Sequence, residues 1–342
     1  MLNRSCIRWP GVFFACAVWL VIPVFGFPKN PADEHVQLEL ISEQNAVVPG
    51  KELWFGIRID LQDGWHTYWT NPGDSGEAAR IDWHLPAGYE AGAIQWPYPE
   101  RLSTPPFADY GYQHQVLLMV PVRPPAGLKE GQTQKIGALV RYLVCREVCI
   151  PGRKELELSL PVQTHAASES RELFEATRSR LPRPVPPSWR ISATSRGDEF
   201  LLNLRIGKLD KEPEFFPLEA EQIENAAPQE ATAIPGGIRL HLKKSKHLLK
   251  PASRLKGVIV ISPGGGYLLD VPVLQSGRDY TQTRHKWRTH ESEPDTRSDG
   301  HTLIDFLCIR GEGRRACTGL SSHRQQWPDA QALQRAWKIR GA

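Results

Sequence analysis

Two cysteines, Cys145 and Cys149, lie four residues apart near the middle of the chain. On a straight strand, residues at this spacing are about 13 Å apart, well beyond the roughly 7 Å Cα separation that a disulfide allows. The chain must therefore turn between them if they bond. Residues 146–148 can supply that turn, and a second bend is predicted at Pro151 and Gly152, before the next strand.

The spacing leaves three chemistries open for this pair. A disulfide that closes so short a loop stabilises a fold by only about 2 kcal/mol, so it is a poor structural staple and better suited to reversible exchange. A structural disulfide is the second possibility. Metal ligation is the third, because three intervening residues fit the usual spacing of zinc ligands. A closed metal site needs further ligands, and His66, His84 and His114 could arrive only through the fold.

The residues before the pair follow the pattern of an antiparallel sandwich. Apolar and polar residues alternate after His35 and again after Pro49 and Gly50, which predicts half-buried strands. Further strands are predicted at residues 80–85, 115–122, 134–145 and 155–162. Seven or so short strands at this spacing indicate an immunoglobulin-like β-sandwich of about 130 residues.

A second, smaller β domain is predicted after a break in this pattern. Residues 166–181 have helical spacing, and four prolines between Pro182 and Pro187 follow them, which predicts a short helix and a stiff linker. Strands are then predicted within 189–206 and at 237–243, 256–262 and 267–273. The polar residues after Gln275 predict a disordered tail, in which Cys308 and Cys317 are incidental thiols.

The N-terminus has the pattern of a secretory signal peptide. Arg4 and Arg8 precede an uncharged apolar stretch at residues 11–27, and cleavage is predicted near Gly26. An uncleaved anchor is the alternative. Cleavage would remove Cys6 and Cys16 and leave the rest of the chain in a compartment where disulfides persist.

Composition agrees with an exported all-β protein. The 342 residues contain 28 glycines and 29 prolines, which favours frequent turns, and the net charge of +4 gives no electrostatic reason to expect nucleic acid as a partner. We predict two immunoglobulin-like β-sandwich domains joined by a short helix and a proline-rich linker. The predicted boundaries are a signal peptide at 1–26, a first sandwich at 34–163, helix and linker at 164–187, a second sandwich at 188–275 and a disordered tail at 276–342.

Five of the eleven tryptophans lie between Trp54 and Trp96. One interpretation is a sandwich core with a glycine- and proline-containing loop at residues 64–76, whose sequence is GWHTYWTNPGDSG. The other is a flat aromatic platform that binds sugars. The residues of this segment do not choose between the two.

Four segments together resemble one known family. They are GWHTYWTNPGDSG at 64–76, IQWPYP at 94–99, the loop FADYGY at 107–112 and CREVCIPG at 145–152. The chain resembles the N-terminal periplasmic domain of DsbD-type thiol:disulfide interchange proteins, especially the branch associated with suppression of copper sensitivity. The likeness covers residues 34–163 well and 188–275 more loosely.

The resemblance implies roles for particular residues. Cys145 and Cys149 would be the exchanging pair, taking electrons from a membrane-embedded hub and passing them to oxidised periplasmic proteins. A mobile cap loop would shield the disulfide, and its counterpart here contains Phe107, Asp109 and Tyr110. Phe107 or Tyr110 would be the shielding aromatic residue; the alternative is that both are core or turn residues.

The chain also departs from the family pattern. Members of this branch continue into a polytopic membrane hub and a thioredoxin-like domain, whereas no apolar span follows Val273 and the sequence contains no C-x-x-C motif. We therefore expect a truncated or frame-disrupted gene product, which would depend on another protein for electrons.

The predicted function is thiol-disulfide interchange in the periplasm, by a thiol-disulfide oxidoreductase of the protein-disulfide reductase class. No cofactor, metal or nucleic acid is expected, and contact with the membrane is expected only through an uncleaved signal segment. By resemblance, substrates would include cytochrome c maturation factors, disulfide isomerases or copper-resistance proteins. The alternatives are an exported non-catalytic module that binds copper or carbohydrate, and a remnant without activity.

Overall fold

The computed structural model describes residues 30–275, apart from 208, 210 and 262–264. The predicted signal peptide, the predicted tail and the four cysteines outside the central pair lie outside the described residues. No helix in the described part of the chain has both the length and the apolar character needed to span a lipid bilayer.

The first half of the described chain forms ten strands. They are β1 (Val36–Ser42), β2 (Leu53–Leu61), β3 (His66–Gly73), β4 (Arg80–His84), β5 (Glu90–Ala91), β6 (Glu100–Thr104), β7 (Phe107–Gln113), β8 (Gln115–Arg123), β9 (Thr133–Cys145) and β10 (Cys149–Pro161). One sheet has the order β1-β2-β8-β5. The other has the order β10-β9-β3-β7-β6, with β4 also paired to β9. The buried side chains of both sheets form one core, which confirms the predicted sandwich.

The alternation in β2 shows why these residues form strands. Phe55, Ile57 and Ile59 are fully buried, while Arg58 lies between them on the outer face. Arg58 is opposite Glu39 of β1 and forms an ion pair with it at 2.7 Å. Burial of one face and charge pairing on the other fix the register, because a one-residue slip would exchange the two faces.

Two local predictions are wrong. Strand β10 was predicted to begin at Glu155, after a bend at Pro151 and Gly152, but it begins at Cys149 and pairs with β9 along its whole length. A proline is tolerated there because β10 lies at the edge of its sheet. The segment FADYGY, predicted as a loop, is part of strand β7, which pairs with both β3 and β6.

The helix α1 (Arg171–Ser179) is shorter than predicted and covers the outer face of the first sheet. Phe174 is fully buried against Leu117 and Met119 of β8. The guanidinium of Arg178 donates to the Glu43 carboxylate at 2.8 Å and fixes the helix to the end of β1. Both faces of β8 are therefore buried.

The remaining strands form a second sandwich. They are β11 (Arg183–Pro184), β12 (Arg190–Arg196), β13 (Glu199–Arg205), β14 (Glu214–Pro217), β15 (Glu230–Ile234), β16 (Gly237–Lys243), β17 (Arg254–Ile261) and β18 (Gly265–Gln275). Their order is β14-β17-β18-β12-β13-β16-β15, with β11 beside β18. Residues 30–275, as far as the structure describes them, therefore form an all-β fold with one α-helix. Part of the predicted linker forms β11, which pairs with β18, so the linker belongs to the sheet of the second sandwich.

Candidate functional site

The two central cysteines face each other across the β9–β10 hairpin. Cys145 is the last residue of β9, Cys149 is the first residue of β10, and the two are direct partners in the register. Residues 146–148 form the turn, in which the Arg146 amide donates to the Val148 carbonyl at 3.2 Å. The Cα atoms are 4.1 Å apart and the sulfurs are bonded. The predicted turn at residues 146–148 is confirmed.

The two cysteines differ in exposure. Cys145 is 2% exposed, since it belongs to the buried end of β9. Cys149 is exposed, and its neighbour Val148 is 64% exposed. A thiol of a partner protein can therefore reach the disulfide from the side of Cys149, where Val148 offers an apolar contact.

A tyrosine hydroxyl lies against both sulfurs. The Tyr68 hydroxyl donates to Cys145 Sγ at 2.8 Å and is 3.6 Å from Cys149 Sγ. Burial raises the pKa of Tyr68 above 10; the Ser75 hydroxyl opposes this shift and the Asp109 charge adds to it. Tyr68 is therefore a neutral hydrogen-bond donor at pH 7.

The Tyr68 ring is fixed by a glycine. Gly76 has a φ of +82°, and a Cβ on it would come within 2.1 Å of Tyr68 Cζ. Any other residue would therefore clash with the ring and would also strain the backbone. The close contact of Gly76 with Tyr68 requires the turn formed by Asp74, Ser75 and Gly76.

A buried carboxylate lies behind the tyrosine. Asp109 of β7 accepts hydrogen bonds from the Ser75 amide at 2.9 Å and from the Ser75 hydroxyl at 2.9 and 3.0 Å. Its Oδ2 is 4.0 Å from His66 Nε2, too far for a hydrogen bond. His66 Nε2 is buried without a hydrogen-bond partner, and the ring packs edge-on against Tyr68 with a centroid distance of 5.3 Å.

His66 is the one histidine of the three considered that the fold brings beside the cysteines, as the register partner of Cys145. His84 and His114 are exposed. Among the described residues, no three or more histidine, cysteine or acidic side chains form a group that could hold a metal ion.

The two sequence-predicted aromatic residues of the cap have different surroundings. Phe107 lies next to the turn of the β6–β7 hairpin and is 52% exposed. Tyr110 is fully buried; its hydroxyl donates to Asn225 Oδ1 of the second sandwich at 2.9 Å, and its ring packs edge-on against Phe216. Of the two, only Phe107 is free to contact a molecule in solution.

The tryptophan-rich segment is mainly core. Trp65 and Trp69 are buried, and Trp83 and Trp96 pack against the same core while partly exposed. Trp54 lies beside helix α1, under the Arg178 guanidinium. Four of the five residues pack in or against one core and the fifth lies beside the helix, so they do not form one exposed flat platform for sugars.

Sequence reasoning assigned no role beside the disulfide to Tyr68, which contacts both sulfurs, or to Ser75, which is bonded to Asp109 behind it, and it considered His66 only as a metal ligand. His66, Tyr68 and Ser75 lie in the motif GWHTYWTNPGDSG, which pointed to a family but not to individual roles. The alternation of polar and aromatic residues there was the available signal. It could not show that residue 68 reaches residue 145.

Protonation of His66 is expected to destabilise the fold. Burial lowers the pKa of His66 below 6.5, although Asp109 opposes the shift. Between the folded-state pKa and 6.5, the unfolded chain binds a proton that the folded chain does not, so stability falls as the pH falls through this range. The slope contributed by this residue is at most about 1.4 kcal/mol per pH unit.

Thermal unfolding measured between about pH 8 and pH 5 tests this expectation, with the window set around the ordinary histidine pKa. His66→Gln should flatten the loss of stability at low pH. His241→Gln is the control, because His241 lies on the second sandwich, where its Nδ1 is 3.1 Å from Glu199 Oε2. Equal slopes for wild type and His66→Gln would contradict the assignment.

Comparison with known families identifies similar proteins. Residues 37–161, which include both central cysteines, match the model of one family, described as the N-terminal part of the thiol:disulfide interchange protein DsbD. The match covers a little more than a third of the chain. A search of the curated proteins found no match.

One solved structure shows the same architecture. The crystal structure of the N-terminal periplasmic domain of ScsB from Proteus mirabilis is 16% identical, with a TM-score of 0.55, and the alignment covers 72% of this chain and 96% of that one. The N-terminal domain of DsbD from Neisseria meningitidis, in its reduced form, is 11% identical with a TM-score of 0.24, covering 40% and 93%. The ScsB domain shows that the second sandwich, as well as the first, has a counterpart in a known fold.

Proposed function

We propose that residues 37–161, which form a DsbD-type N-terminal domain, exchange electrons with partner proteins through Cys145 and Cys149. The observation that carries this proposal is a disulfide between one exposed and one buried cysteine, with a tyrosine hydroxyl 2.8 Å from the buried sulfur. DsbD-type N-terminal domains interact with other thiol-redox proteins. The finer assignment, transfer from a membrane-embedded thiol reductase to periplasmic disulfides, is part of the proposal.

Reduction begins at the exposed cysteine. A partner thiolate attacks Cys149 Sγ, a new S–S bond joins the partner to Cys149, and the bond between Cys149 and Cys145 breaks with its electron pair on Cys145 Sγ. The Tyr68 hydroxyl already points at this sulfur, so it donates to the thiolate as charge develops there. A second thiol of the partner then attacks its own sulfur in the mixed disulfide and releases reduced Cys149.

Passing the electrons on reverses these steps. The Cys149 thiolate attacks an oxidised partner, and the Cys145 thiolate then attacks Cys149 Sγ, which restores the internal disulfide and leaves the partner as a dithiol. Two electrons move in each half-reaction. The only protons exchanged belong to the thiols, so the exchange requires no cofactor in addition to the two sulfurs.

The surroundings of the pair support exchange over a structural staple. Cys149 and Val148 are exposed at the end of a hairpin, where a disulfide closes only a five-residue loop. The hairpin is already held by thirteen register pairs between β9 and β10, so the bond adds little to the fold. We further propose export to the periplasm, on the basis of the signal-peptide pattern at 1–26 and the domain type.

Single-cysteine variants test the proposed order of attack. In Cys145→Ala, the exposed Cys149 should react rapidly with the aromatic disulfide DTNB to give a mixed disulfide. In Cys149→Ala, the buried Cys145 should react at least about tenfold more slowly, since access limits exchange. Mass spectrometry of the hairpin peptide separates these adducts from those of other cysteines. Equal rates, or faster reaction at Cys145, would contradict the proposal.

Removal of the tyrosine hydroxyl should slow reduction. Tyr68→Phe loses a hydrogen bond to a developing thiolate, worth about 1.5 kcal/mol or more, so the rate of reduction by dithiothreitol should fall about tenfold. Tyr112→Phe is the matched control, because its buried hydroxyl donates to the Pro97 carbonyl. A rate for Tyr68→Phe equal to that of the control would show that the hydroxyl does not assist exchange.

We propose Phe107, and not Tyr110, as the shielding residue of the cap. Phe107→Ala should raise the rate of disulfide reduction by glutathione about threefold or more, because a shield limits access of small thiols. The thermal stability should hardly change, since an exposed side chain contributes little. Leu249→Ala is the control, at an exposed apolar residue of the second sandwich. An unchanged rate in Phe107→Ala would remove Phe107 from this role.

A further inference from the structure

The second sandwich contacts the end of β3 and the turn that follows it. Asn71 is 3% exposed, and its side-chain amide donates to the Pro217 carbonyl of β14 at 2.7 Å. Its side-chain oxygen accepts from the Gly73 amide at 3.2 Å. The same asparagine therefore shapes the end of β3 and attaches it to the second sandwich.

Asn225 makes the more extensive contact. It lies between β14 and β15 and is 6% exposed. Its Nδ2 donates to Asp74 Oδ1 at 2.8 Å, and its Oδ1 accepts from the Tyr110 hydroxyl at 2.9 Å. Its backbone carbonyl accepts from the Arg101 guanidinium. Both ends of the buried amide are therefore bonded to residues of the first sandwich.

Three consecutive residues connect this contact to the disulfide. Asp74, held by Asn225, accepts from the Ala108 amide at 2.8 Å and donates its own amide to the Ala108 carbonyl at 3.1 Å. Ser75 is bonded through its amide and hydroxyl to Asp109. Gly76 then lies directly on the ring of Tyr68. Only residues 74–76 separate Asn225 from the tyrosine that contacts Cys145.

Apolar packing makes this arrangement rigid. Phe216 of the second sandwich is buried within the core of the first. It packs edge-on against Trp69 at a centroid distance of 6.4 Å and against Tyr110 at 5.2 Å. Trp69 follows Tyr68 in β3, so packing and hydrogen bonds fix the same segment from two sides.

We propose that Asn225 is a positioning residue for the disulfide: from the second sandwich it holds residues 74–76 against Tyr68 and so keeps the Tyr68 hydroxyl at the Cys145 sulfur. The second sandwich is thereby a part of the redox site and not only an attached domain. This inference rests on the proposed function, in which the Tyr68 hydroxyl assists exchange.

A double-mutant cycle in the full chain tests the inference. The rate of disulfide reduction by dithiothreitol is measured for wild type, Asn225→Ala, Tyr68→Phe and the double variant, by alkylation and mass analysis of the hairpin peptide. Asn225→Ala should slow reduction about threefold or more. In the Tyr68→Phe background the same substitution should change the rate less than about 1.5-fold, because residues that act through one group are not additive.

Asn203→Ala is the matched control. Asn203 is an asparagine of the same sandwich whose side chain is also bonded at both ends, but to Ser192 and Arg239, which are both residues of the second sandwich. It should leave the rate unchanged. If Asn225→Ala does not fold, Asn225→Asp takes its place: it keeps the acceptor for Tyr110 but presents a carboxylate to Asp74, which should displace the turn and slow reduction in the same way.

The outcomes separate the two proposals. A wild-type pair that does not exchange overturns the proposed function and the inference with it. A Tyr68→Phe variant with the wild-type rate overturns the proposed role of the hydroxyl and the inference, but not interchange by the cysteines. The inference alone is overturned if wild type exchanges and Tyr68→Phe is slow, but Asn225→Ala has the wild-type rate. It is also overturned if Asn225→Ala slows the wild-type and Tyr68→Phe backgrounds equally.

Discussion

The register of the β9–β10 hairpin is the constraint on which the site depends. Thirteen consecutive pairs end with Cys145 opposite Cys149, so the geometry of the sheet, and not the flexibility of a loop, brings the sulfurs within bonding distance. A shift by one residue would carry the sulfurs to opposite faces of the hairpin. Because the ladder extends over thirteen pairs, we expect it to keep the cysteines adjacent in the reduced state as well.

The same hairpin makes the two sulfurs chemically different. Cys145 ends the buried strand β9, between β3 and β10, whereas Cys149 begins an edge strand. In the proposed exchange, attack is directed to the edge, and the leaving thiolate forms where a hydroxyl donor is already in place. Because a buried thiolate without a donor would be costly, the hydrogen bond from Tyr68 favours Cys145 as the leaving sulfur in this proposal.

The polar groups behind Tyr68 connect the small site to both sandwiches. Asp109 accepts hydrogen bonds from the amide and the hydroxyl of Ser75. Asp74, which precedes Ser75 in the chain, is bonded to Ala108 and Asn225. A buried carboxylate such as Asp109 is tolerated only when it is well hydrogen-bonded, so Asp109 and its partners form a network with one preferred geometry. The second sandwich supplies the last member of that network.

The sequence predicted the fold better than the site. Alternation predicted β1 and β2, and the spacing of the cysteines predicted the turn between them, because both are local patterns. Pro151 was read as a bend, since its place on an edge strand depends on the order of strands in the sheet. The contacts of Tyr68 with Cys145 and of Asn225 with Asp74 join residues 77 and 151 positions apart, and no local pattern encodes them.

The equilibrium redox state of the central pair tests the account most directly. The full chain is equilibrated across a series of dithiothreitol or glutathione ratios, and the hairpin peptide is analysed by thiol alkylation and mass. We expect a reversible two-electron transition between about −300 and −120 mV, the range of exchange-competent disulfides. A pair that stays oxidised well below about −300 mV would be a structural staple, and the proposed interchange would be contradicted.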